Sequence, residues 1–103
     1  MNKLLEDKLE KLTELCLKRA VRRLALFGSA ASERFDPARS DLDFLVEFAP
    51  RSPARHSDNY FGLLEDLERL FGRPVELIEP GPIKNPFFRK EIEKTKVVLY
   101  DAA

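Results

Sequence analysis

Cysteine, histidine, net charge and long apolar runs are all scarce in this 103-residue chain, and each scarcity removes a class of protein. Cys16 stands alone, so there is no internal disulfide framework, and a single thiol fits a reducing compartment. Its place in a helical apolar stripe makes it a small core residue rather than a reactive group. Lys plus Arg and Asp plus Glu both number 18. With charges balanced, no overall field draws the chain to nucleic acid or to an anionic membrane, which argues against a polymerase that acts on long templates. No apolar stretch approaches the roughly 20 residues of a membrane span. The N-terminus is charged rather than signal-like, so the expected location is the cytoplasm. His56 is the only histidine. With no second His or Cys at ligand spacing, it reads as a surface residue in a loop. Internal repeats, low-complexity tracts and linkers are absent as well. The length leaves room for one domain, residues 1–103, around a single modest core.

What is present is an alternation of helical and strand patterns. From about Asn2 to Ala20, the residues Leu5, Leu9, Leu12, Cys16 and Ala20 recur at helical spacing with charged residues opposite, the pattern of an amphipathic helix covering a sheet. Leu4, Leu15 and Leu17 widen that stripe toward a face that a partner chain would cover. Arg19, Arg22 and Arg23 form a basic cluster, read either as solvated surface or as a contact for phosphate or a partner. Leu24-Ala25-Leu26-Phe27 is apolar on both faces, the mark of a central strand covered on both sides. A second strand alternates Leu42, Phe44, Val46 and Phe48 with Asp41, Asp43, Leu45 and Glu47. After a loop holding Pro50 and Pro53, Ser57 is placed to cap a helix over 58–71, which Gly72 ends in a left-handed turn. Val75 and Leu77 alternate with Glu76 and Ile78 in a third strand. Asn85 caps a short helix that starts at Pro86 and runs to about Lys94, and Val97-Val98-Leu99-Tyr100 is a fourth strand. The sum is an α/β fold, a mixed four-stranded sheet with helices packed on it.

The chemistry concentrates between Leu24 and Phe48. Asp41 and Asp43, two residues apart in a strand, project from the same face. Ionised carboxylates so placed repel unless solvated or bridged, and a hard cation such as Mg2+ takes oxygen ligands while keeping positions for phosphate and water. The same face becomes apolar at Leu45, so charges stand at the mouth of the strand and core lies deeper. If Glu76 pairs at the level of Asp41 and Asp43, and Ile78 with Leu45, the third strand repeats the arrangement and adds a third carboxylate. Upstream, Gly28 lets the backbone turn closely after the first strand. Ser29 is placed to cap a short helix over 30–34, whose free N–H groups suit a phosphate. Arg34 and Arg39 would add charge there or pair on the surface.

Gly28-Ser29, eleven intervening residues and Asp41-Leu42-Asp43 resemble the G-S-x(n)-D-x-D signature of the polymerase-β-like nucleotidyltransferases. The small size, the helix before the motif and the tail Asn85-Pro86-Phe87-Phe88-Arg89-Lys90-Glu91-Ile92 resemble the minimal nucleotidyltransferase (MNT) family over nearly the whole chain. Two features depart from its pattern. Ala30-Ala31-Ser32-Glu33-Arg34 stands where many members carry an Arg-Ala-Arg-Gly-like run, with a spacer one residue longer, and Glu76 stands where the third carboxylate is usually Asp. The resemblance implies a small polymerase-β-like fold in which Asp41, Asp43 and Glu76 are catalytic and hold two Mg2+ ions. It implies ATP as substrate, with Gly28 and Ser29 gripping its β/γ-phosphates. It also implies transfer of AMP to a hydroxyl, commonly a tyrosine of a partner HEPN-domain toxin for which the MNT protein is the antitoxin, with homo- and hetero-oligomers both open. Two other readings stand beside it. One is a catalytically degenerate antitoxin that neutralises its partner by contact alone, which the departures favour. The other is a subunit of a split antibiotic-modifying nucleotidyltransferase with a small-molecule acceptor.

Overall fold

The doubly apolar run Leu24-Ala25-Leu26-Phe27 forms the middle of the sheet, as its pattern requires. The computed structural model describes residues 3–31, 41–81 and 83–102, the side chains of residues 3, 4, 29 and 30 excepted. Strands β1 (Val21–Phe27), β2 (Leu42–Phe48), β3 (Val75–Ile78) and β4 (Val97–Asp101) are ordered β3-β2-β1-β4. β1 lies antiparallel to both of its neighbours, β2 and β4, while β2 and β3 are parallel. A parallel pair needs a long crossover, and α3 (Pro53–Phe71) provides it.

Leu24 and Leu26 join Leu42, Phe44, Val46 and Leu77 in the larger core, under Leu5, Leu12, Cys16, Leu63 and Leu67 from the helices. Those helices are α1 (Lys3–Glu6), α2 (Leu9–Lys18) and α3. Ala25 and Phe27 face the other way and form a smaller cluster with Leu45 and Ile92, the latter from α4 (Pro86–Thr95). Each fully buried Leu or Phe contributes roughly 1.5–3 kcal/mol of transfer free energy, so most of the apolar stabilisation lies on the first face.

Several local expectations are corrected. The N-terminal segment is two helices, not one, because Lys8 leaves helical geometry at φ −114°, ψ 5°. Ala20 is outside the helix altogether, in a turn at φ 58° whose carbonyl accepts the Ala49 N–H at 2.8 Å. Leu15 is buried in the core rather than offered to a partner, whereas Leu17 is 67% exposed. Helix α3 begins at Pro53 with Ser52 as its cap, the Ser52 hydroxyl accepting the Arg55 N–H at 3.4 Å. A proline fits that first helical position because its missing N–H would be unpaired there anyway. His56 therefore stands in the helix, not a loop. Its Nε2 lies 2.9 Å from Glu79 Oε1 and its ring meets Phe48 edge-on. Gly72 does end the helix in left-handed geometry at φ 65°, and Asn85 does cap α4.

The basic cluster is largely consumed by the fold. Arg19 Nε donates to Asp66 Oδ2 at 2.8 Å, pinning the end of α2 to α3, and Arg23 pairs with Glu47 and Asp101. Its third member, Arg22, is exposed on β1. Gly62 makes room for the Arg19 pair, since a Cβ there would stand 2.4 Å from the Arg19 guanidinium carbon.

Candidate active site

Three strands end together, and their registers decide what meets there. Phe27 of β1 pairs with Asp43 of β2, and Asp43 pairs with Glu76 of β3. One step deeper, Leu45 pairs with Ile78. The alternation of carboxylate and apolar residue along β2 is thus matched by β3, as the sequence pattern requires. Asp41 stands just ahead of β2, exposed, beside the Leu42 N–H that donates to the Pro74 carbonyl at 3.3 Å. Tyr60 helps to hold the register, its hydroxyl donating from α3 to the Leu77 carbonyl. Burial, and then the charges of Glu79 and Glu76, push the Tyr60 pKa up, which keeps that donor protonated.

Gly28 follows Phe27 directly and turns the chain at φ 71°, a left-handed conformation that costs glycine nothing. It opens a four-residue 3-10 turn, Gly28–Ala31; residues 32–34 of the helix expected over 30–34 lie outside the described residues. The turn lies against Asp43 so closely that a Cβ on Gly28 would stand 2.8 Å from Asp43 Oδ2. Arg34 and Arg39 lie outside the described residues, as does the Ser29 side chain. The backbone of Ser29 is in the turn.

Asp43 is half-buried beside two further carboxyl groups. Its pKa is raised to about 6, chiefly by burial, then by a hydrogen bond to Glu76 and by the charges of Glu76 and Asp41. Burial and the neighbouring carboxyl groups thus both oppose a negative charge on Asp43. Among the described residues, no three His, Cys, Asp or Glu side chains form a ready-made metal cage. The donor set nevertheless fits a hard divalent ion. It is oxygen-only, it converges at one strand end, and a bound cation would offset the charge that raises the Asp43 pKa.

Sequence reading quotes Phe88 but assigns it no role. The Phe88 ring meets the Phe27 ring edge-on at a centroid separation of 6.0 Å, directly beside the Asp43 level. The signal was the i, i+4 spacing of Phe88 and Ile92, which puts both on the sheet-facing side of α4.

Comparison with known proteins agrees with this architecture. The family described as nucleotidyltransferase domain matches residues 8–99. A Methanocaldococcus jannaschii protein named as a candidate protein adenylyltransferase is 37% identical over 82 residues, 80% of each chain. A solved structure described as a candidate minimal nucleotidyltransferase superposes with a TM-score of 0.65 at 26% identity, over 90% of both chains. The fold is also that of a Shewanella oneidensis complex of a tri-AMPylated HEPN toxin with an MNT antitoxin. There the TM-score is 0.63 at 15% identity, over 94% of this chain and 72% of that one. A match that runs from residue 8 to residue 99 reaches all four strands, and the chain accordingly belongs to the nucleotidyltransferase-domain family, as one of its minimal nucleotidyltransferases.

Proposed function

We infer that this protein transfers AMP from ATP to a tyrosine hydroxyl of a HEPN-type toxin and thereby acts as its antitoxin. The observation that carries the reading is the meeting of Asp43 and Glu76, with Asp41 beside them, at the strand end where Gly28 turns. Support for the acceptor comes from the relatives named for protein adenylylation and from the fold shared with an antitoxin whose toxin partner is AMPylated. ATP as the donor fits a cytoplasmic site of action.

Asp41, Asp43 and Glu76 would hold Mg2+, which supplies positive charge for the attacking hydroxyl and the leaving pyrophosphate in an in-line displacement. The remaining work belongs to the chain. The backbone N–H groups of the Gly28–Ala31 turn bind the β/γ-phosphates, with the Ser29 hydroxyl as a further donor. Asp43 would act in its ionised form, which a cation beside it favours over its raised pKa of about 6. Leu45 and Ile78, one step below, keep the floor apolar and exclude water from the reacting end.

The test is incubation with labelled ATP, Mg2+ and the HEPN protein encoded beside this chain, followed by mass spectrometry of that protein. A gain of one AMP on a tyrosine is the expected result. Neutralisation of the toxin with no mass gain would overturn the enzymatic reading and leave neutralisation by contact.

A further inference from the structure

The sheet face that carries Asp43 is covered, among the described residues, by α4, and this helix brings two phenyl rings to the carboxylate end. Ile92, 2% exposed, packs against Ala25, Phe27 and Leu45 in the middle of that face. Phe88 is one turn earlier on the same side of the helix, with its ring at 73° to the Phe27 ring. Because Phe27 pairs with Asp43 and precedes Gly28, Phe88 stands over the strand end that holds the site. α4 also packs against the Gly28–Ala31 turn itself.

Folding leaves both rings partly in water, Phe87 82% exposed and Phe88 39%. The backbone that carries them is nevertheless fixed. Asn85 Oδ1 accepts the N–H of Phe87 at 2.9 Å and of Phe88 at 3.3 Å, and Pro86 fixes the entry to the helix. A ring kept in water contributes little to stability, whereas a ring fixed at the rim of a site is preorganised for a ligand. Arg89 leaves this rim apolar by turning its guanidinium to the Pro80 carbonyl at 3.3 Å.

The geometry points to Phe88, with Phe87 beside it, as the wall on which the base of the bound nucleotide stacks. This rests on the nucleotide-transfer reading and adds where the nucleoside goes. A triphosphate held by the Gly28 turn and the carboxylates must extend its nucleoside along one rim, and α4 lines one with flat rings. Stacking on a phenyl ring needs only a π face, so the wall favours nucleotide over bare phosphate more than one base over another.

Calorimetry in Mg2+ with two probes, ATP and inorganic tripolyphosphate, tests it on the unmodified protein, Phe87→Ala, Phe88→Leu, Phe88→Tyr and the Phe87→Ala/Phe88→Leu double variant. The double variant should bind ATP about tenfold more weakly and tripolyphosphate as before, with Phe88→Tyr retaining ATP affinity. Phe87→Ala removes an 82%-exposed ring and cannot unfold the chain, so it alone should weaken ATP binding measurably even if Phe88→Leu loosens α4. Unchanged ATP affinity in Phe87→Ala and the double variant overturns the proposal, and loss of transfer alone would then give the rings to the acceptor protein. Equal losses for both probes overturn it too, since the rings would then only support the turn. An unmodified protein that binds neither probe removes the nucleotide-transfer reading and this wall with it. Binding of both probes by every variant with the affinities of the unmodified protein sinks the wall alone.

Discussion

Gly28→Ala is the substitution from which the site has most to lose. The residue has φ 71°, where an L side chain costs roughly 1–2 kcal/mol. The new methyl would also stand 2.8 Å from Asp43 Oδ2, too close for carbon and oxygen, so the Asp43 carboxyl must move and its hydrogen bond to Glu76 must weaken. A net hydrogen bond is worth about 1 kcal/mol, which brings the total to about 2–3 kcal/mol. For a domain of this size that lowers Tm by roughly 10–15 °C. The two contributions separate in a double-mutant cycle. In an Asp43→Ala background the nearest remaining atom is the Cβ, 3.8 Å from the added methyl, so Gly28→Ala should cost only the backbone part, about 1–2 kcal/mol. Thermal unfolding by circular dichroism of the four proteins, without metal, measures both costs. Equal costs in the two backgrounds would refute the claim that the turn is fitted to Asp43.

Four further outcomes are expected. Asp43 is a carboxyl whose folded pKa, about 6, exceeds its unfolded value near 3.8, so the folded state holds the proton longer and the metal-free protein loses stability as pH rises from about 4 through 6. Discounted for its partial exposure, the loss is about 1 kcal/mol. Asp43→Asn should remove that slope between melts at pH 4 and pH 7, and an unchanged slope would place the proton elsewhere. Burial pushes the Cys16 thiol up to about 12, so it should resist a thiol reagent at pH 8 until the chain is unfolded; prompt native labelling would contradict its core position. Arg19→Met strands Asp66, whose side chain is 6% exposed, at a cost of about 3 kcal/mol. Adding Asp66→Leu should recover much of it in denaturant melts. Glu76→Ala should abolish most AMP transfer while costing no more stability than its one hydrogen bond to Asp43, about 1 kcal/mol, and Glu76→Asp should retain transfer; full activity in Glu76→Ala would remove Glu76 from the site.

The parts of this fold that were legible are those in which a local pattern has one physical solution. A strand reading Asp43, Leu45 and another reading Glu76, Ile78 on one face can pair carboxylate with carboxylate only in a single register, and the sheet adopts it. The start of α3 was harder because residues 53–55 are exposed and carry no apolar stripe. Only the Ser52-Pro53 pair marks it, and a proline in a polar stretch reads first as loop. The Arg19–Asp66 pair spans 47 positions, so no window along the chain contains it, and Arg19 looks free until α2 is laid on α3. The raised pKa of Asp43 is likewise invisible in one dimension. It arises from burial and from a neighbour on another strand, whereas the sequence alone says only that two aspartates repel.

Asp43 and Glu76 stand side by side at the pair where the register of β2 and β3 is set, and the raised pKa of Asp43 reflects the cost of a charge there. Slipping the register by one residue would not relieve the charge, because it would turn Asp43 toward Phe44's side of the sheet, among Leu42, Val46 and Leu77. An unpaired carboxylate there costs several kcal/mol. The alternation that builds the larger core therefore also holds the carboxylates at the opposite face. Stability and the candidate site depend on the same register, which is why substitutions at Leu45 or Ile78, one step below the carboxylates, should disturb catalysis as well as folding.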